Sequence, residues 1–101
     1  MSIIAIVRIK GNPADLERYA AGPGGKVMER IGEAGKAAGA IRHTFAGSGD
    51  EVLVIDEWPD AESFQAFFGG QAEIADVMRE GGAQGPPEIT IYRKLDTPDQ
   101  F

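Results

Sequence analysis

The sequence predicts one α+β domain, a four-stranded antiparallel sheet with helices on one face. Three observations lead there. Four strand-like runs, SIIAIVRIK, AIRHTFAG, EVLVIDEW and EITIYRKL, alternate with segments of helical periodicity in the order strand, helix, strand, strand, helix, strand. The two middle strands are joined directly by the glycine-rich turn GSGD, the signature of a hairpin. At 101 residues the chain can bury a single modest core but not two. This order is the ferredoxin-like arrangement, two split βαβ halves making one domain over residues 1–101.

Each element has a local reason. The first strand is dominated by β-branched residues, and Arg8 and Lys10 appear only toward its end. Asn12 followed by Pro13, with Asp15 two residues later, marks a helix start. Asparagine caps, proline fits the first helical position, and an acid suits the positive helix terminus. Leu16, Tyr19 and Ala20 share one face of that helix. The run GPGG at 22–25 breaks or bends it, either as a flexible rim over a pocket or as a kink. Helical spacing resumes through Val27, Met28, Ile31, Ala34 and Ala38, weakened by Gly32 and Gly35, and stops at Gly39. In the second strand Ile41, His43 and Phe45 face one way, Arg42 and Thr44 the other. After the third strand, Pro59 and Asp60 start a helix carrying Phe64, Phe67 and Phe68. Gly69-Gly70 is expected to break it before Ile74, Val77 and Met78 resume the period. GGAQGPP reads as a loop, and the tail DTPDQF as loose polar chain.

The first strand is apolar at both parities, Ile3, Ala5, Val7 and Ile9 against Ile4 and Ile6, and the third strand repeats this with Val52 and Val54 against Leu53 and Ile55. Helices cover one face of such a sheet, so the other needs a second cover. A homodimer through the open sheet face is the expected solution.

Composition narrows the function classes. Apolar residues at 43% and charged residues at 26% describe a globular chain rather than a disordered one. Sixteen acids against ten scattered bases, a formal charge of −6, argue against nucleic-acid or anionic-membrane partners, which need clustered Lys and Arg. No run is long enough to span a membrane, and no signal-peptide pattern opens the chain. Zero cysteines remove disulfides, thiol nucleophiles and thiolate metal sites, and the expected location is cytoplasmic. GPGG and GSG lack the context of a phosphate loop or dinucleotide fingerprint, and Ser48 lies in a hairpin rather than a nucleophile elbow. A single histidine with no H-x-x-H spacing assigns no metal.

GAIRHTFAGSGDEVLVIDEWPDAESFQAFF, followed by PPEITIYRKL, resembles the antibiotic biosynthesis monooxygenase family of the dimeric α/β-barrel superfamily. The resemblance spans nearly the whole chain as an element order. Its specific part is a strand ending in Glu57-Trp58, a turn with Asp60, and a helix opening Glu62-Ser63-Phe64. It implies a pocket between sheet and helices in each subunit of a dimer, in a family whose members include cofactor-independent oxygenases of quinols and polycyclic phenols, haem-degrading enzymes and many proteins with no known substrate. Trp58 matches the family's tryptophan at the strand end, used as a pocket wall, and His43 lies where one polyketide-oxidising branch carries a histidine. Relatives often have a histidine in the following helix, where this chain has Phe67 or Phe68. The haem-degrading branch also needs an asparagine on the first strand, which SIIAIVRIK lacks, so the resemblance speaks against haem chemistry.

The candidate residues each admit two roles. Histidine is the residue type that changes charge near neutral pH, and His43 is the only one here. It is either a general base for a bound phenol or a strand histidine satisfied locally. Trp58, Phe45, Phe64, Phe67 and Phe68 are core residues, pocket walls for a small aromatic ligand, or both. Arg8, Tyr92 and Arg93 lie on the terminal strands, expected to be non-adjacent, so that they need not converge. A cationic pair there suits a substrate oxygen, or it pairs with acids such as Asp56 and Glu57 at an interface. The leading expectation is a cofactor-independent monooxygenase acting on an aromatic, quinol- or polyketide-like substrate. The competing readings are a non-catalytic ligand-binding or structural dimer of the same fold, and an isomerase or cyclase on a similar barrel.

Overall fold

The computed structural model describes residues 2–101. Among them are four strands, β1 (Ile3–Lys10), β2 (Arg42–Ser48), β3 (Glu51–Trp58) and β4 (Glu88–Arg93). Four helices accompany them, α1 (Pro13–Ala21), α2 (Gly25–Ala38), α3 (Ala61–Gly70) and α4 (Ala72–Glu80). The strands form one antiparallel sheet in the order β2-β3-β1-β4. The α+β, ferredoxin-like architecture expected from the sequence is the one observed.

Local chemistry sets the boundaries. Asn12 accepts the Ala14 N–H at 2.9 Å and starts α1. Gly39, at φ +116°, closes α2 in the left-handed conformation that glycine adopts without penalty. Asp60 accepts the Ser63 N–H at 2.7 Å and starts α3, a bond that holds its carboxyl below the usual aspartate range. The GPGG run is neither cavity rim nor kink but the turn between α1 and α2. It packs on Tyr19, since a Cβ at Gly24 would lie 2.0 Å from that ring. The Tyr19 hydroxyl donates to Glu80 at 3.1 Å and ties α1 to α4, while Arg30 pairs with Glu73 to tie α2 to α4.

Two expectations are corrected. Gly69-Gly70 does not break α3. The helix runs through both glycines, and the interruption falls at Gln71, whose extended backbone (φ −106°, ψ 95°) no longer follows the helical path. The terminal strands are also adjacent, because β1 occupies the sheet interior and pairs with β4 on one side and β3 on the other.

Strand parity sorts the residues as expected. Ala5, Val7 and Ile9 of β1, with Val52, Val54 and Trp58 of β3, are buried toward the helices together with Phe64. Ile4, Ile6, Leu53 and Ile55 fall on the other face, which no helix covers and where they are only half-buried. Ion pairs stand at both ends of that face. Arg8 Nε lies 2.7 Å from Glu51, not from Asp56 or Glu57. Glu57, although only 6% exposed, accepts from Ser2 Oγ at 2.8 Å and from Lys94 at 3.1 Å, with Arg42 at 3.5 Å. The Ser2 hydroxyl and the Lys94 ammonium hold its carboxyl below the usual glutamate range.

Candidate functional site

Between the sheet and the helices lies a cavity of about 760 Å³. It exists because β2 is an edge strand that the helices do not fully roof. Every residue of β2 is exposed, and His43, Phe45 and the space beside them open toward α2. The far wall is aromatic. Trp58 packs against Phe64 edge-on (centroids 6.1 Å apart) and against Phe67 at 5.4 Å, and Phe64 meets Phe68 at 5.5 Å. Met28, Ile31, Ile74, Val77 and Met78 add apolar surface from the helices. Among the described residues no three His, Cys, Asp or Glu side chains converge as a metal site requires.

At the β2 side of this cavity the polar groups form one chain. Cross-strand pairing sets His43 opposite Asp56, and His43 Nδ1 lies 2.7 Å from Asp56 Oδ1. The Trp58 indole N–H donates to Asp56 Oδ2 at 3.1 Å. Asp56 is 8% exposed and Trp58 1%. These bonds fix the tautomer. An ionised carboxylate only accepts and an indole N–H only donates, so Nδ1 of a neutral His43 must carry its proton toward Asp56. Nε2 then presents its lone pair and has no hydrogen-bond partner among the described residues. Phe45 meets the imidazole edge-on at 5.2 Å, limiting the ring's freedom from the strand side. The arrangement suits a base that takes a proton from a bound molecule while a fixed anion stabilises the cation formed.

The predicted residues separate into two groups. His43, Phe45, Trp58, Phe64, Phe67 and Phe68 all line the cavity. Arg8 and Tyr92 lie on the uncovered sheet face, where their register partners Leu53 and Ile4 also project, and neither lines the cavity. Arg93, opposite Ile3, has the other parity. Sequence reasoning missed Asp56, treating it as a partner for arginine. The signal was present: in V-L-V-I-D-E-W the acid shares the inward parity of Val52, Val54 and Trp58, and a buried acid needs donors.

No protein-family model matches the chain, and no curated protein matches it. Solved structures do. The Streptomyces coelicolor monooxygenase from the gene ActVA-Orf6, in complex with nanaomycin D, superposes with a TM-score of 0.66 at 22% identity, covering 97% of this chain and 93% of the other. SnoaB, a cofactor-independent oxygenase from Streptomyces nogalater, gives 0.64 at 18% identity and covers 98% of both chains. Rv0793 from Mycobacterium tuberculosis gives 0.64 at 13% identity, with 98% and 100% coverage. The chain has the fold of the antibiotic biosynthesis monooxygenases. At these identities the likeness is one of fold. No helix among the described residues is long and apolar enough to cross a membrane.

Proposed function

We propose that the protein is a cofactor-independent monooxygenase for an aromatic, quinol- or polyketide-like substrate, with His43 as general base and Asp56 as the residue that positions it. The observation that carries this reading is the Trp58–Asp56–His43 hydrogen-bonded chain on the wall of an otherwise largely apolar cavity. Nε2 of His43 takes a proton from the bound phenol or its tautomeric C–H, and the Asp56 carboxylate stabilises the imidazolium. The resulting anion gives one electron to dioxygen, and the radical pair joins as a carbon–oxygen bond to form a peroxide. The proton returns from His43 to the peroxide, whose O–O bond breaks with loss of water as the adjacent C–H becomes a carbonyl. One oxygen atom enters the product, the other leaves as water, and all electrons come from the substrate. Two of the proteins with this fold are described as a monooxygenase and a cofactor-independent oxygenase, which supports the reaction class.

Oxygen uptake with hydroquinones and anthrone-like phenols tests the proposal. The expected result is enzyme-dependent uptake, one dioxygen per carbonyl formed. Ligands that bind in the cavity, read by quenching of Trp58 fluorescence, yet consume no oxygen would overturn it in favour of a binding module, an isomerase or a cyclase.

The working unit in this proposal is a homodimer joined through the uncovered sheet face. Ile6 and Ile55 pair across strands on that face, with Ile4 and Leu53 beside them. The charges at its ends are already paired within the subunit, Arg8 with Glu51 and both Arg42 and Lys94 with Glu57. A neutral apolar centre with self-paired ends suits the same patch on a second copy, as a two-fold contact requires. Sedimentation equilibrium is expected to give a dimer for wild type and a folded monomer for Ile55→Glu. A monomeric wild type sinks the assignment.

A further inference from the structure

We propose that Gly32 is the specificity-determining position of the cavity: by presenting bare helix backbone it leaves the width that a flat, fused-ring ligand needs against the aromatic wall. The proposal rests on the aromatic-substrate reading above.

Helical spacing fixes where Gly32 points. Met28, Ile31, Gly32 and Gly35 stand at i, i+3, i+4 and i+7 of α2, the stripe that an amphipathic helix turns inward, and all four line the cavity. At the first two positions the stripe carries large apolar side chains. The third would be expected to continue them, yet it holds glycine, among the poorest helix formers, in the interior of a 14-residue helix. Nothing in the protein requires this. The backbone there is helical, not left-handed, and a Cβ at Gly32 would meet no atom within 4 Å. Gly11, Gly24 and Gly47 differ: a Cβ would lie 2.8 Å from a carbonyl oxygen at the first, 2.0 Å from the Tyr19 ring at the second and 2.6 Å from Pro13 at the third.

Gly35, one turn on, marks where the space ends. Its Cβ would sit 3.5 Å from Phe67, an ordinary contact, and Phe67 leads on to Trp58 at 5.4 Å. The gap between α2 and the aromatic wall is therefore closed at Gly35 and open at Gly32. A side chain at position 32 has the cavity itself as its open space, and would occupy volume that a second or third fused ring otherwise fills. A single-ring ligand needs less of that volume than a fused-ring one.

The test is an anaerobic titration of Trp58 fluorescence with anthrone, a three-ring ligand, and with hydroquinone, a one-ring ligand. Wild type, Gly32→Ala, Gly32→Leu and Gly69→Ala are compared. Extra methylenes in an apolar pocket change affinity by about tenfold or more, so Gly32→Leu is expected to weaken anthrone by at least that factor and leave hydroquinone within about twofold. Gly69→Ala is expected to change neither ligand, because Gly69 is helical, does not line the cavity and its methyl would meet no neighbour. Should Gly32→Leu fail to fold, Gly32→Ala decides: its melting temperature rises, as alanine replaces glycine in a helix, while anthrone alone binds more weakly. Unchanged anthrone affinity in the position-32 variants, equal loss for both ligands, or no quenching of wild type by anthrone would each overturn the proposal. Admitting oxygen to the same samples separates the two readings. Residue-32-dependent binding without uptake leaves this inference standing and removes the oxygenase; uptake indifferent to residue 32 does the reverse.

Discussion

His43→Ala is expected to lower the rate of oxygen uptake by about 10²–10⁴-fold, the range that removal of a positioned general base commonly costs. The expectation follows from geometry. Nδ1 is committed to Asp56 at 2.7 Å, Asp56 is committed to Trp58 at 3.1 Å, and Nε2 is the one acceptor this chain of bonds leaves over. Removing the imidazole leaves the apolar wall intact, so anthrone affinity read by Trp58 fluorescence should change little while turnover collapses. A variant that turns over at the wild-type rate would assign the proton transfer elsewhere. Asp56→Asn separates positioning from chemistry. An asparagine can accept from the Trp58 N–H only by turning its NH₂ toward His43, which forces Nδ1 to accept and places the proton on Nε2. The base is then blocked although the imidazole is present, so turnover should fall with ligand affinity retained.

Phe64→Ala is expected to destabilise the fold by about 3–5 kcal/mol, the cost of emptying a fully buried aromatic site. Phe64 is 2% exposed, lies at the centre of the core cluster with Val7, Val54 and Trp58, and touches the rings of Trp58 and Phe68. Its neighbours are poorly placed to collapse into the gap. Trp58 is pinned by its N–H to Asp56, and the cavity beyond Phe67 and Phe68 offers no atoms to move inward. For a domain of this size the loss is about a third to a half of a typical total stability, so the melting temperature should drop by more than about 10 °C. Thermal unfolding followed by circular dichroism checks it, and a fall of only a degree or two would mean that Phe64 is not part of a tightly packed core.

The fold was legible in the residues because its signals are local. The parity of Ile3 through Ile9 and of Val52 through Ile55, the Asn12-Pro13 start, Gly39 at the end of α2 and the GSGD hairpin are each set within a few positions. That His43 and Phe45 share one face followed from the same period of two; that this face is the one toward the cavity came only from the structure. The sequence misled where two local signals competed. Gly69-Gly70 resembles a helix stop, yet without a left-handed turn the helix simply continues to Gln71. Asp56 and Glu57 were the acids expected for Arg8, and register places it near Glu51 instead.

By itself, then, the sequence determined the order and type of the elements, the apolar face of each, the unpartnered second face of the sheet and the aromatic wall around Trp58. The tertiary structure alone decided three things: that Asp56 joins His43 to Trp58, that Arg8 and Tyr92 stand on the opposite side of the sheet from the cavity, and that Gly32 borders open space rather than a neighbour. The physical reason is sequence distance. His43 and Asp56 are 13 positions apart, and Gly35 and Phe67 meet from different helices, so their contact depends on strand register and helix packing, which no local period records.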